Sequence, residues 1–180
     1  MSHPDHFALF ALPVRFALDE SALEQAHKEV QSKVHPDRFA SGSAAERRVA
    51  MQWAAQANEA YRTLKSPLAR AAYLCERAGV PILAESNTAM PGIFLMQQLQ
   101  WRESLDDARR DGDAPQLDEL MATVHAERDR LINAIAGAID GEHDHVAASA
   151  LVRQLMFIDR FRDEVRDADE FLSRPREASA

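Results

Sequence analysis

The sequence predicts an all-α chain made of two helical units joined by a short linker. Three observations carry this. Long stretches are dominated by Ala, Leu, Glu, Arg and Gln, and only six glycines occur in 180 residues, a composition that favours helices over strands. Apolar residues recur at three- and four-residue spacing. Turn-forming residues cluster in few places, the broadest running from Gly79 to Gly92 with Pro81, Ser86, Asn87 and Pro91, which reads as the linker.

The elements follow in order. Phe7, Leu9, Phe10 and Leu12 form a short apolar segment that Pro13 terminates. Asp19 can cap the free N–H groups of a helix running to about Val34, with Leu18 and Leu23 at the spacing of a hydrophobic staple and Leu23, Ala26, Val30 and Val34 on its inner face. Pro36 ends that helix, because the residue before a proline is pushed out of the α region. A polar loop runs from His35 to Gly42. Ser43-Ala44-Ala45-Glu46 is a capping box for the next helix, whose predicted core face is Val49, Trp53, Ala57, Ala60 and Leu64. Ser66-Pro67 restarts the chain as N-cap and N1, and this fourth helix closes near Gly79.

After the linker, three longer helices are expected at about Pro91–Arg110, Pro115–Ile139 and His145–Leu172, punctuated by Asp111-Gly112-Asp113 and Asp140-Gly141-Glu142. Short connections between long helices favour antiparallel neighbours, hence a three-helix bundle. The expected division is 1–78 for the first unit, 79–91 for the linker, 92–172 for the bundle and 173–180 for a frayed tail.

Composition narrows the function. Hydrophobic residues make up 46% and charged residues 28%, ordinary values for a soluble globular protein. No apolar run approaches the ~18 residues that cross a bilayer, and the first twelve residues lack the basic start and apolar core of a secretory signal; a cytoplasmic protein without membrane partners is expected. The single cysteine, Cys75, excludes an intramolecular disulfide and any multi-cysteine metal site. Net charge is −8 and uneven: residues 1–80 carry ten Lys/Arg against nine Asp/Glu, residues 81–180 eleven against twenty. Two halves with different electrostatics suggest two surfaces for different partners, and an acidic chain without a basic stripe is a poor nucleic-acid binder.

The tripeptide His-Pro-Asp occurs at 3–5 and at 35–37. The first copy has no preceding helix to anchor it and reads as coincidence. The second lies between two amphipathic helices. Its chemistry suits recognition: Pro36 stiffens the turn so that little entropy is lost on docking, Asp37 offers a carboxylate to a partner arginine, and His35 supplies a ring donor or acceptor. The chain has no Walker A sequence or glycine-rich phosphate loop.

Over roughly residues 5–76 this order of elements resembles a J-domain, supported by Phe39 after the tripeptide, Asn58-Glu59-Ala60-Tyr61, Leu64-Lys65-Ser66-Pro67 and Arg70-Ala71. The resemblance implies an N-terminal J-domain, a helical hairpin with flanking short helices, that docks on a DnaK-type ATPase through His35, Pro36 and Asp37, assisted by the basic residues Lys28, Lys33 and Arg38. Glu24 and Glu29 dilute that charge. The opening Asp5-His6-Phe7-Ala8-Leu9-Phe10-Ala11-Leu12-Pro13, the run Arg38-Phe39-Ala40-Ser41-Gly42-Ser43 and the block from Phe94-Leu95-Met96-Gln97-Gln98-Leu99-Gln100-Trp101 to Arg102-Glu103 closely resemble the HscB family, over about residues 5–172. That resemblance implies a non-enzymatic co-chaperone without a cofactor. Its implied partners are an HscA-like chaperone, whose ATPase it stimulates, and an IscU-like scaffold protein of iron–sulfur cluster assembly.

The residues give a separate reason to expect a contact face. Phe94, Trp101, Leu105 and Ala108, with the polar Gln98 as exception, complete the inner stripe of the first long helix, which leaves Leu95, Met96 and Leu99 beside it. On the last helix Leu151, Leu155, Ile158, Val165 and Leu172 form the stripe, with Met156 and Phe157 off its line. Excess apolar surface flanked by charge is what a partner site requires; the pattern alone equally allows these residues to complete a broad core. The resemblance assigns Leu95, Met96, Leu99, Glu103 and Phe157 to the scaffold-binding face, with Asp107 extending its acidic side. Gln97, Gln98 and Gln100 make it less acidic than the family's pattern. A J-protein serving a different client is the alternative function. A small helical enzyme using His35 and nearby carboxylates needs a concave pocket around that residue. His143-Asp144-His145 reads as a solvated cap rather than a metal site, because two histidines two apart do not share a helix face. Arg109-Arg110 reads as a favourable end charge for its helix.

Overall fold

The computed structural model describes residues 5–34, 43–82 and 90–173. The described residues form seven α-helices and no strand: α1 His6–Leu9, α2 Glu20–Val34, α3 Ala44–Lys65, α4 Pro67–Arg77, α5 Gly92–Asp111, α6 Ala114–Ala136 and α7 His145–Leu172, with a five-residue π-helical turn at Gly137–Gly141 between the last two. This is the all-α fold that the sequence predicts. Contacts group the chain into two compact units, one of residues 1–81 with 135–149, the other of 82–134 with 150–180.

In the first unit the predicted caps form. Asp19 Oδ1 accepts the N–H groups of Ser21 and Ala22 at 2.9 and 3.3 Å. Ser43 Oγ accepts from Glu46 N at 3.2 Å while Glu46 Oε2 accepts from Ser43 N at 2.7 Å. Ser66 Oγ accepts from Ala69 N at 3.3 Å, with Pro67 at N1. Asp5 caps α1 by accepting from Phe7 N at 3.0 Å and from the Tyr73 hydroxyl at 3.2 Å, and it pairs with Arg77. Burial opposes ionisation of Asp5, but the Phe7 N–H, Arg77 and Tyr73 outweigh it and hold the carboxyl below its ordinary range. A depressed folded-state value means that the linkage contributes stability above the unfolded carboxylate's titration near pH ~3.9, lost as pH falls through the folded value. The acid limb of a urea-unfolding series should therefore be shallower in Asp5→Asn than in wild type.

The core of this unit collects where α1 and α4 join α3: Phe7, Phe10, Leu23, Ala57, Ala60, Leu64, Ala71, Leu74 and Cys75 are buried. His27 stacks on Tyr61 at 4.1 Å and meets Phe10 edge-on at 6.0 Å, tying α2 to α3 and to the segment after α1. Of the five residues expected on the α3 core face, Ala57, Ala60 and Leu64 are buried. Val49 and Trp53 are 48% and 42% exposed, and Ala50 is buried instead. Helical spacing selects a side of the helix but not the length over which a neighbour covers it. At 1.5 Å per residue, the 22 residues of α3 extend about 33 Å against about 22 Å for the 15 of α2, and α1 and α4 pack toward its C-terminal half.

Arg70 is buried, lies with its guanidinium 5.0 Å over the Phe16 ring and donates to the Leu64 carbonyl at the end of α3. Burial pushes its pKa down, against the pull of Glu20 and Asp140.

Residues 135–149 lie inside the expected bundle range but pack with residues 1–81. Asp140 explains this: its two carboxylate oxygens accept the backbone N–H groups of Phe16 and Ala17, each at 2.7 Å, with Arg15 3.9 Å away. Hydrogen bonds to a charged group contribute about 1.5–3 kcal/mol when buried and much less where water competes, as it does at the exposed Ala17 N–H. Asp140→Ala should lower the unfolding free energy by about 1–3 kcal/mol in denaturant titration, and Asp140→Asn, which keeps one acceptor oxygen, by less.

In the second unit α5 ends on Gly112, whose φ of +69° is the left-handed C-cap that favours glycine. Asp113 Oδ1 then caps α6 by accepting from Gln116 N at 3.0 Å. Trp101 of α5 stacks on Phe161 of α7 at 5.7 Å, and Arg109 donates to the Glu164 carbonyl at 3.1 Å. Arg128 of α6 meets Asp159 of α7 at 2.7 Å, both side chains about four-fifths buried. Leu117, Val124, Leu131, Val152, Leu155, Ile158 and Val165 fill the interior. No helix among the described residues is long and apolar enough to cross a membrane.

Candidate functional site

The contacts expected from the sequence fall on two stretches, one before and one after the linker. Of the first, His35, Pro36, Asp37 and Arg38 lie outside the described residues. Lys28 and Lys33 are on α2, which ends at Val34 immediately before the tripeptide, and both are exposed. The acidic residues that dilute them have other partners. Glu24 pairs with Lys65 of α3 at 3.6 Å, and Glu29 accepts from Gln25 at 3.2 Å. His27 turns away from solvent chemistry: its Nε2 lies 3.1 Å from Asn58 Oδ1, which also accepts from Gln31 Nε2 at 3.0 Å. An amide oxygen only accepts, so Nε2 of His27 is the donor in this contact.

The second surface is on α5 and α7. Phe94, Gln98, Trp101, Leu105 and Ala108 are the buried residues of α5, the stripe expected from the sequence. Leu95, Met96 and Leu99 stand outside it at 54%, 67% and 58% exposure, and Phe157 of α7 at 45%. Phe157 is held rather than loose: its ring meets Phe94 edge-on at 6.5 Å, and Phe94 belongs to the core. Glu103 is exposed, two turns along α5 from Met96. Asp107 is paired with Arg110 at 2.8 Å, so its charge is partly neutralised within the helix. The broad-core alternative for these apolar residues therefore does not describe Leu95, Met96, Leu99 or Phe157.

Sequence reasoning missed Ile93, the most exposed large apolar side chain of the described residues at 86%. With Met96, Phe94 and Pro91 it lines a groove of about 620 Å³ whose far wall is Glu127 and Arg130 of α6 and Gln154 of α7. Its position directly after Gly92 and off the Phe94–Gln98–Trp101–Leu105 line was the available signal. Cys75 is fully buried, which pushes its thiol up and away from nucleophile chemistry. His143 Nδ1 lies 3.0 Å from the Ile139 carbonyl and Asp144 caps α7 through Ala147 N at 2.8 Å, so both act in the turn.

Known proteins match this chain along most of its length. Residues 90–166 match the family model described as the HSCB C-terminal oligomerisation domain. The Co-chaperone protein HscB homolog of Bordetella pertussis is 54% identical over 168 residues, covering 93% of this chain and 98% of that protein. The homolog of Ralstonia nicotianae is 52% identical over 163 residues, covering 91% and 93%. Chaperone HscB from Vibrio cholerae superposes with a TM-score of 0.82 at 34% identity, over 93% of this chain and 99% of that one. Human co-chaperone protein HscB shares the fold, with a TM-score of 0.86 at 23% identity over 92% and 82%. With the apolar face on α5 and α7 in a chain so similar to these relatives over about nine-tenths of its length, the chain belongs to the HscB co-chaperone family.

Proposed function

We propose that this chain is a cytoplasmic adaptor that holds an IscU-like iron–sulfur scaffold protein on Leu95, Met96, Leu99 and Phe157, flanked by Glu103 and Asp107. It presents the scaffold to an HscA-like, DnaK-type chaperone and stimulates that chaperone's ATPase through His35, Pro36 and Asp37. The observation that carries this reading is the row of exposed apolar side chains on α5 and α7, backed by a filled core and edged by carboxylates.

The physical roles separate by unit. Apolar side chains supply the affinity of the scaffold contact, each worth about 1.5–3 kcal/mol when fully buried, and Met96 adapts its shape to the partner. The exposed Lys28 and Lys33 raise the association rate with an acidic patch on the chaperone. Pro36 limits the entropy lost when the tripeptide docks. Hydrolysis belongs to the chaperone; this chain supplies contacts only.

The test is the steady-state ATPase rate of a DnaK-type chaperone with this protein, with the scaffold, and with both. A rate with both that exceeds either alone supports the reading. Stimulation indifferent to the scaffold, together with capture of a different protein by the α5–α7 face, would favour a J-protein with another client.

A further inference from the structure

Gln98 stands where an apolar residue is expected. It occupies the inner stripe of α5 with Phe94, Trp101, Leu105 and Ala108, is 8% exposed, and its Nε2 is buried without a hydrogen-bond partner. A buried amide with one end unpaired forfeits a hydrogen bond that water would have supplied. A leucine or methionine would fill the same space without that penalty. Such a departure from consistent core chemistry, when the rest of the stripe obeys it, is expected at functional positions.

Its place on the helix says which function. Gln98 follows Leu95 by three residues, so the two are neighbours on the α5 surface, and Phe94 is one turn before it. Leu95 is exposed, and Phe94 supports the exposed Phe157 ring. Gln98 thus lies on the seam between core and contact face. Its side chain has three rotatable bonds, so its own geometry does not confine the carboxamide to a single direction.

We propose that Gln98 is a specificity-determining residue of the α5–α7 face: its Nε2 is unpaired in the free protein and donates to a backbone carbonyl of the docked client. The inference rests on the reading of that face as the scaffold site and deepens it. Apolar side chains grip many surfaces alike, whereas an amide that gains its bond only on docking rewards a partner with a peptide group in the right place and penalises one without it. It also favours the bound state, because the free protein carries the unpaired group.

The experiment uses the full chain, wild type and Gln98→Met, which keeps the volume and removes the amide. Two quantities are read: the thermal midpoint of the free protein, and the association and dissociation rates with an IscU-like scaffold. The expected result is a midpoint raised by about 2–6 °C, with scaffold affinity weakened about three- to tenfold through faster dissociation and an unchanged association rate. A raised midpoint with unchanged affinity makes Gln98 a packing defect and overturns the proposal. So does an unchanged or lowered midpoint, since the amide is then paired in the free protein. Failure of wild type to bind the scaffold defeats the reading of the face itself; failure of Gln98→Met alone to differ defeats only this inference.

Discussion

Replacing Leu95, Met96 and Phe157 together by alanine should weaken scaffold binding at least about 100-fold while lowering the thermal midpoint by only about 3–6 °C. The two halves of this expectation come from the same exposures. At 54%, 67% and 45% exposed, these side chains contribute little to the interior of the free protein, and surface truncations of that kind shift stability by roughly half a kcal/mol or less. In a complex they become the centre of a desolvated contact. Truncating a central apolar anchor costs about 1–2 kcal/mol, so three cost about 3–6 kcal/mol, and each 1.4 kcal/mol is a factor of ten. Phe157 carries a secondary cost because its ring braces Phe94, so Phe157→Ala alone should show the largest stability change of the three. Isothermal titration calorimetry with the scaffold, beside a thermal melt of the free triple variant, checks both halves. A variant that binds as tightly as wild type would remove this face as the scaffold site. ATPase stimulation by the triple variant in the absence of scaffold should match wild type, because the tripeptide is untouched.

How much of this was legible in the sequence depends on whether the signal is local. The caps at Asp19, Ser43 and Ser66 and the end of α5 at Gly112 all form as read, because a cap is settled by residues within one turn. The inner stripe of α5 is also local, being fixed by helical spacing. Burial along α3 is not: Val49 and Trp53 share a side with Ala57 and Leu64, yet the sequence cannot tell how far a partner helix reaches. The role of Asp140 is less local still. In the sequence it reads as part of a loop between helices, whereas its partners Phe16 and Ala17 are 124 and 123 positions away. Ordinary turn chemistry masks a long-range contact that only the folded chain displays. Of the candidate sites, the α5–α7 face was legible because its surplus of apolar residues exceeds what one helix stripe can bury. Ile93 escaped because it precedes the periodic pattern rather than interrupting it.

The largest effect on activity should come from His35→Gln, which is expected to bring the stimulated ATPase rate of the chaperone down to its basal level, a fall of about tenfold or more, equivalent to at least ~1.4 kcal/mol of transition-state stabilisation. Glutamine retains an amide donor and acceptor but loses the planar imidazole, with its two ring nitrogens at a fixed spacing. Docking energy that depends on a preformed shape is forfeited when one member becomes a flexible chain, because the ordering cost returns at binding. The scaffold constant should not move, since Leu95, Met96 and Phe157 lie on other helices and keep their support from Phe94 and the α5 stripe. Single-turnover hydrolysis by the chaperone at saturating co-chaperone separates a catalytic effect from weaker docking: His35→Gln should remain near basal even when saturating. A Lys28→Ala/Lys33→Ala variant should instead recover wild-type stimulation at higher concentration and lose its deficit in high salt, because long-range steering sets the encounter rate and is screened within about 10 Å at 0.1 M salt. Full stimulation by His35→Gln would mean that the second tripeptide is an ordinary turn and that the chaperone reads some other part of the first unit.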